Sequence, residues 1–283
     1  MSKIALVTDS TAYIPQDLVK KYNITVAPQV LIWDKEELAD GVDILPTEFY
    51  ARLKKATIMP STSQVTVGKM HEIFKQLLDQ DYEVLAILIS SKLSGTINSA
   101  VQAIAALPEG APVHIVDSYS TAMAMGFITI GVARAIEQGG AMKECIELAE
   151  KSISHTGVVF AVNTLEFLHR GGRIGTATRF LGAALNLKPI LELRDGKVEA
   201  IERVRTRSKS LTRLIELTEE RIAGRSPVHL AALHANAEED AKLVLQEASA
   251  RLNAVESIIS EVSPVVGTHA GPGTVGLAFM AGM

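Results

Sequence analysis

The sequence predicts an α/β fold, with a mostly parallel sheet covered by helices on both faces and a second, α+β domain. First, apolar runs of strand length alternate with helix-length segments up to about residue 155. Second, Asp195-Gly196 separates two extended stretches as a hairpin turn does. Third, 47% of the 283 residues are hydrophobic, enough for a sizeable core. We expect domains at 1–155 and 156–283, a ligand site between them, and residues 265–283 packing back at that site.

The first domain is expected to alternate strands and helices. Buried strands are predicted at 3–10, 83–90 and 112–118, with an extended stretch, interrupted at Pro28, over 24–33. Helices are predicted after Pro15, over 46–56, in the second part of 59–80 after a hydroxyl-rich loop, over 95–107, and through the apolar run that ends near 138. This order is typical of a doubly covered parallel sheet.

The second domain is expected to begin with a strand at 157–162 and a helix that ends at Gly171-Gly172. The remaining predicted elements are a hairpin over 189–204, a helix over 208–223, a strand over 228–235, a helix capped by Asn236, a last strand over 255–267, and a short helix from near Gly273. A hairpin combined with strand–helix units indicates an α+β arrangement.

Three of the predicted parallel strands end in similar hydroxyl and carboxylate residues. Because the carboxyl ends of parallel strands face one crevice, where ligands bind, these side chains should lie along one rim. The residues concerned are Thr8, Asp9, Ser10, Ser91, Ser94, Asp117 and Ser118. The alternative is that they only cap the helices that follow.

The stretch "LSGTINSA" places Gly95 and Thr96 at a predicted helix start, where free N–H groups and the helix dipole attract anions. Ser94 and Thr96 add hydroxyl donors, and no arginine fork is present. This combination suits one negative charge, such as a carboxylate, better than a triphosphate. Ordinary helix capping would explain the same residues.

Two further segments supply candidate ligand-binding residues. Thr62 and Ser63 form a second hydroxyl cluster that opens a helix, and His269 lies in a glycine-rich stretch. The imidazole could bond an anion or transfer a proton, although a solvent-facing loop histidine is an equal alternative. The nearby G-x-G-x-x-G pattern leaves no room for a dinucleotide-binding unit before the chain stops.

Two basic stretches lie in the second half. Arg170 and Arg173 flank a Gly-Gly pair, and Arg203 and Arg205 belong to "ERVRTRSKS". Cations at helix ends often interact only with the helix dipole. In a chain of net charge −4, these residues also make a candidate phosphate or partner patch.

Composition and motifs argue against several classes of protein. The net charge of −4 disfavours a general nucleic-acid binder. No P-loop or G-x-S-x-G motif occurs, and the single Cys145 provides no cysteine metal site. The longest apolar run, 122–136, is too short to span a bilayer, and no signal peptide is evident. We expect a cytoplasmic protein with no membrane segment, metal or cofactor.

Seven segments, in order, resemble the motif series of the DegV family. They are "VTDSTAYIP", "PSTSQ", "SSKLSGTINSA", "VDSYSTAMAMG", "FLHRGGRIG", "RVRTRSKS" and "GTHAGPG", which together cover essentially the whole chain. The resemblance implies a two-domain α/β protein that binds a long-chain fatty acid such as palmitate. It is similar to the fatty-acid-binding subunit of bacterial fatty acid kinase, in which a separate ATP-binding kinase subunit phosphorylates the carboxylate for phospholipid synthesis.

By the same resemblance, Thr62 and Ser94 donate to the carboxylate, the backbone of Gly95 lies beside it, and His269 reaches it directly or through water. Arg173 and Arg205 would lie at the mouth, where phosphate and the kinase approach. The full set of implied or candidate residues is Thr62, Ser63, Ser91, Ser94, Gly95, Thr96 and His269 for the ligand, and Arg170, Arg173, Arg203 and Arg205 for phosphate or partner contact.

Two other functions remain open at this stage. A serine hydrolase acting on acyl esters would use Ser94 or Ser91 with His269, and a Ser94–His269–Asp9 triad is compatible with the sequence because triads need only spatial proximity. A lipid-sensing regulatory protein would share the cavity without any phosphoryl transfer.

Overall fold

The computed structural model describes residues 3–181 and 187–283, and the strands and helices are numbered here in chain order. The strands are β1 (Lys3–Asp9), β2 (Thr25–Ala27), β3 (Val30–Trp33), β4 (Glu36–Ala39), β5 (Ser61–Ser63), β6 (Tyr82–Leu88), β7 (Val113–Asp117), β8 (Thr156–Ala161), β9 (Lys188–Arg194), β10 (Lys197–Val204), β11 (Val228–His234), β12 (Glu256–Glu261) and β13 (Val275–Ala281). The helices are α1 (Gln16–Lys21), α2 (Pro46–Leu53), α3 (Val67–Leu78), α4 (Thr96–Ala105), α5 (Ala122–Glu137), α6 (Met142–Ile153), α7 (Glu166–Arg170), α8 (Arg207–Ile222), α9 (Glu238–Leu252) and α10 (Pro264–Ala270).

The predicted parallel sheet is confirmed: its strand order is β2-β1-β6-β7, and every pair is parallel. Helices α3 and α4 cover one face, while α5 and α6 cover the other. Because both faces are buried, β6 reads as a continuous apolar run rather than an alternating one. The carboxyl ends of β1, β6 and β7 therefore meet at one rim, as expected.

A six-stranded mixed sheet forms the second layer, in the order β10-β9-β8-β13-β11-β12. Strand β13 lies in its middle, antiparallel to both β8 and β11, and all seven of its residues are buried. The helix predicted from near Gly273 is therefore wrong. A fully buried strand shows no alternation of apolar and polar residues, so its pattern resembles that of a buried helix.

The segment between β12 and β13 also differs from the prediction. The strand expected over 255–267 ends at Glu261, and Pro264 begins α10 at a first-turn position that tolerates proline. His269 consequently lies in the last turn of a helix and not within a glycine-rich turn. Asn236 does not cap α9 either, because Ala237 holds the cap position and Asn236 adopts φ +53°.

The extended stretch over 24–33 contributes to two different sheets. Strand β2 joins the parallel sheet, whereas β3 pairs antiparallel with β4 and β5 in a three-stranded sheet. The residues of β5 were expected to be loop, but they pair with β3, which places Thr62 opposite Leu31. Helix α6, which the sequence patterns did not single out, packs under β6 and β7.

The two large sheets share one hydrophobic core. Helix α5 packs against β6 on one side and against β8, β11 and β13 on the other, so Phe127 and Ile128 are in the same cluster as Leu233 and Ala278. The predicted boundary at 155 lies in the short connection between α6 and β8. Among the described helices, none combines the length and apolar character that crossing a membrane requires.

The predicted β9–β10 hairpin has its turn at Asp195-Gly196, both with positive φ. This turn contacts the rim of the parallel sheet, where the Ser90 hydroxyl donates to the Gly196 carbonyl at 2.9 Å. A Cβ atom at Gly196 would lie 2.4 Å from Ser90 Oγ, so only glycine fits both the turn and this contact. The hairpin thereby connects the second sheet to the loop that carries Ser94.

Candidate ligand-binding site

A cavity lies between the parallel sheet and the six-stranded sheet, and α10 forms part of its wall. It contains about 930 Å³ of space not occupied by atoms, part of it open to solvent. Most of its wall is apolar, including Ile89, Val158, Phe160, Leu193, Leu233 and Val265. An apolar wall that carries a few polar side chains is typical of a site for a small, mainly apolar molecule.

Two threonines of the wall, Thr11 and Thr274, direct their hydroxyl protons into the protein. Thr11 Oγ1 donates to Asp9 at 2.7 Å, and Thr274 Oγ1 donates to the Ala270 carbonyl at 2.8 Å. A threonine whose hydroxyl proton is used in this way contributes mainly its methyl group to a neighbouring cavity. These positions are therefore less polar toward a ligand than their residue type suggests.

One end of the cavity carries a chain of hydrogen-bonded polar side chains. Ser94 Oγ lies 2.9 Å from Thr96 Oγ1 and accepts from the Thr96 backbone N–H at 3.3 Å. The Gln29 amide nitrogen lies 2.9 Å from the same Thr96 hydroxyl. Ser94 and Gln29 line the cavity, whereas Thr96 is fully buried behind them at the start of α4.

Thr62 and His269 form a second polar pair at the cavity wall. His269 Nε2 lies 2.8 Å from Thr62 Oγ1, so the last turn of α10 is joined to β5. Burial, together with the positive charge of Arg173, lowers the pKa of His269 to about 4. The imidazole is therefore neutral at pH 7 and carries a single N–H.

The surroundings of His269 indicate which nitrogen holds that proton. Its Nδ1 is buried and has no hydrogen-bond partner among the described residues. It also packs so closely on Gly171 that a Cβ there would lie 2.0 Å from Nδ1. Because a buried N–H without an acceptor is costly, we assign the proton to Nε2, which then donates to Thr62. The Thr62 hydroxyl proton is thereby left to donate into the cavity.

The structure brings together most of the predicted ligand residues. Thr62, Ser63, Ser94 and His269 line the cavity. Gly95 precedes α4 and packs on the side chain of Gln64.

Gly95 and Thr96 do not line the cavity themselves but lie directly behind Ser94 at the start of α4, whereas Ser91 lies apart from the group. It is exposed and absent from the cavity wall, with its backbone N–H directed to the Asp117 carboxylate. It sits at the rim as expected, but its side chain is separated from the ligand site because the chain turns between Ser91 and Ser94.

Of the four candidate arginines, Arg173 alone lines the described part of the cavity. Its Nε donates to the Leu93 carbonyl at 3.1 Å and its Nη1 to the Gly171 carbonyl at 2.8 Å, which fixes the guanidinium beside the Ser94 loop. Arg170 instead pairs with Glu166. Arg203 lies over the Phe180 ring, and Arg205 is exposed.

The Ser94–His269–Asp9 triad does not assemble. The Asp9 carboxylate accepts from the Thr11 hydroxyl and from the Ile89 backbone N–H, and His269 bonds Thr62 rather than Ser94. Asp9 thus serves the rim of the parallel sheet by holding β1 to the end of β6. No cluster of three or more potential metal ligands occurs within 3–181 and 187–283.

Asp40 and Gln29 contribute to the site although the sequence patterns did not indicate them. Asp40 Oδ1 accepts from the Val265 N–H at 3.2 Å and Oδ2 from the Ser10 hydroxyl at 2.6 Å. It therefore anchors the first turn of α10 from the other end of the chain. Burial raises the pKa of Asp40 to about 6.

The sequence model of the DegV family matches residues 3–282. The chain belongs to the DegV family. The resemblance of the seven motifs is thus confirmed over the full length, and the site described above is the site of a DegV family member.

Relatives and solved structures agree with this assignment. A DegV domain-containing protein of Streptomyces coelicolor is 35% identical over 276 residues, 97% of either chain. A DegV family protein from Thermus thermophilus, described for its fatty acid binding, superposes with a TM-score of 0.93 at 33% identity, covering 99% of both chains. DegV from Bacillus subtilis, described as a fatty acid binding protein, superposes with a TM-score of 0.89 at 32% identity. The match covers 99% of this chain and 100% of that chain.

Asp40 predicts a specific pH dependence of stability. Because its pKa in the folded protein, about 6, exceeds the value of 3.8 for a free carboxyl, the folded state binds the extra proton. Its favourable contribution is present below pH 4 and is lost as the pH rises through 6. Asparagine does not titrate, so Asp40→Asn should not show this loss of stability. Between pH 4.5 and pH 7 the free energy of unfolding of the variant should therefore rise by about 2 kcal/mol relative to that of the wild type.

Urea unfolding at both pH values measures this difference. Asp17→Asn, which alters an exposed carboxylate on α1, is the matched control. If Asp40→Asn shifted the free energy of unfolding equally at pH 4.5 and pH 7, the assignment of a raised pKa to Asp40 would be wrong.

Proposed function

We propose that this protein binds a long-chain fatty acid such as palmitate, with the carboxylate at the hydroxyl cluster and the acyl chain in the apolar cavity. The observation that carries the proposal is the contrast within one cavity, since the hydroxyls of Thr62 and Ser94 are available at one end while the remaining wall is mostly apolar. The fatty acid binding described for the Thermus and Bacillus relatives supports it.

The head-group end suits a carboxylate for electrostatic reasons. A carboxylate only accepts hydrogen bonds, and Thr62 and Ser94 each have a proton to donate. The amino end of α4, a ten-residue helix, adds the positive end of its dipole. Because His269 is neutral, the only full positive charge contributed by the described wall is that of Arg173.

The acyl chain supplies most of the binding free energy. Burying roughly fourteen methylenes at ~0.8 kcal/mol each gives ~11 kcal/mol before the cost of ordering the ligand. The carboxylate bonds then fix which end of the molecule lies at the Arg173 edge. Such an arrangement holds an insoluble chain while leaving one polar group close to the surface.

We further propose that the protein is not itself an enzyme but presents the carboxylate to a separate ATP-binding kinase subunit, which forms the acyl phosphate used in phospholipid synthesis. Support comes from Arg173, which is exposed and fixed within reach of the Ser94 loop. An arginine there is suited to stabilise charge on a transferred phosphoryl group. Arg170, Arg203 and Arg205 would contact phosphate or partner from the neighbouring surface.

Removing either hydroxyl donor should weaken fatty-acid binding. Ser94→Ala and Thr62→Val should each raise the Kd for palmitate about ten- to hundredfold, because a hydrogen bond to a charged group contributes about 1.5–3 kcal/mol. Titration of delipidated protein measures the effect, and Ser91→Ala, at an exposed serine off the cavity wall, is the matched control. Unchanged affinity in both variants, or Ser94-dependent hydrolysis of an acyl ester, would contradict the proposal.

Arg173→Ala should separate binding from phosphoryl transfer. Palmitate affinity should fall less than about threefold, because the guanidinium bonds backbone carbonyls and the ion pair it offers is exposed. The rate of acyl-phosphate formation by an added fatty acid kinase subunit should fall at least about tenfold. Arg251→Ala on α9 serves as control. A normal rate of acyl-phosphate formation with the Arg173→Ala variant would contradict the proposed role of Arg173 in phosphoryl transfer.

A further inference from the structure

Gln29 occupies the point where the chain passes from β2 in the parallel sheet to β3 in the three-stranded sheet. Its backbone is fixed on both sides, because its N–H donates to Ser10 Oγ at 3.1 Å and its carbonyl accepts from the Asp40 N–H at 2.9 Å. The residue is only 2% exposed, and its side chain lies between the cavity and Thr96. A buried amide held this firmly can impose a direction on the hydrogen bonds of its neighbours.

The Thr96 hydroxyl has one proton and two partners. Gln29 Nε2 lies 2.9 Å from Thr96 Oγ1, while Gln29 Oε1 is farther, at 3.2 Å. When the amide nitrogen donates to Thr96, the Thr96 proton is directed to Ser94. Ser94 Oγ then accepts from both the hydroxyl and the N–H of Thr96, which occupies both of its lone pairs. The Ser94 proton must consequently point away from them, toward the cavity.

The opposite direction would disable the site. If Thr96 gave its proton to Gln29 Oε1, the Thr96 oxygen would take the proton of Ser94 instead. Ser94 would then meet an incoming carboxylate with a lone pair rather than with a donor. The amide nitrogen of Gln29 therefore decides whether Ser94 attracts or repels an anion.

We propose that Gln29 is a positioning residue that sets the proton direction Gln29 to Thr96 to Ser94 and so makes Ser94 a donor to the ligand carboxylate. This inference rests on the proposed fatty-acid function and adds a determinant of head-group specificity. A Ser94 hydroxyl fixed as a donor should distinguish a ligand with an anionic head group from a ligand of equal chain length with a neutral head group. An alcohol both donates and accepts, so it can bond Ser94 with the protons in either direction.

The test compares dodecanoate with 1-dodecanol, chosen as soluble ligands of equal chain length, by calorimetric titration of delipidated full-length protein. Gln29→Met keeps the size of the side chain and removes its polar atoms. It should weaken dodecanoate binding about five- to twentyfold and dodecanol binding less than about twofold. Gln102→Met, on the exposed face of α4, is the matched control and should change neither.

A double-mutant cycle with Ser94→Ala identifies the route of the effect. If Gln29 acts through Ser94, Gln29→Met should cause less than about a twofold further loss of dodecanoate affinity in the Ser94→Ala background. Should Gln29→Met fail to fold, Gln29→Leu enters the same cycle, because it also removes both polar atoms of the amide without adding a charge. The same loss of selectivity for the carboxylate is expected.

Equal losses for dodecanoate and dodecanol would overturn the inference, since they would reflect packing alone. Additive effects of Gln29→Met and Ser94→Ala would also overturn it, because Gln29 would then act independently of Ser94. Wild-type protein that binds neither dodecanoate nor palmitate would instead overturn the proposed function. Because wild-type affinity is measured first, the two failures are distinguishable.

Discussion

The position of the last strand determines how the ligand site is built. Strand β13 lies between β8 and β11, so the helix that precedes it, α10, is held over the cavity. Asp40 fixes the first turn of that helix, and Thr62, 207 residues from His269 in sequence, bonds its last turn. Without β13 in the middle of the sheet, the cavity would lose the wall that α10 forms, and Thr62 would lose its hydrogen bond to His269.

The site depends on the direction of hydrogen bonds more than on charge. A neutral imidazole directs Thr62, and by the inference above a buried amide directs Thr96 and Ser94, so both hydroxyls present protons to the cavity. Uncharged donors avoid the cost of burying an isolated cation in an apolar cavity. Arg173 stays at the exposed edge, where water and a partner can reach it. Under the proposed function, binding of the carboxylate and transfer of phosphate therefore fall to different side chains.

The sequence predicts the parallel sheet and its polar rim well, because hydroxyl and carboxylate residues follow strands that local patterns identify. It predicts the carboxyl-terminal part poorly, since the buried strand β13 lacks alternation and Pro264 begins a helix where a strand was expected. Thr62, Ser94 and His269 are found through their motifs, whereas Gln29 and Asp40 are single residues in no recognisable pattern. Their roles arise only from contacts between distant parts of the chain, which spacing in the sequence does not show.

Lipid analysis of the purified protein tests the central claim most directly. The protein is isolated without added lipid and denatured, and the organic extract is examined by mass spectrometry. A long-chain fatty acid with a free carboxylate, present at about one molecule per chain, is the result that this account predicts. An extract without fatty acid, from protein that also fails to take up added palmitate, would contradict it.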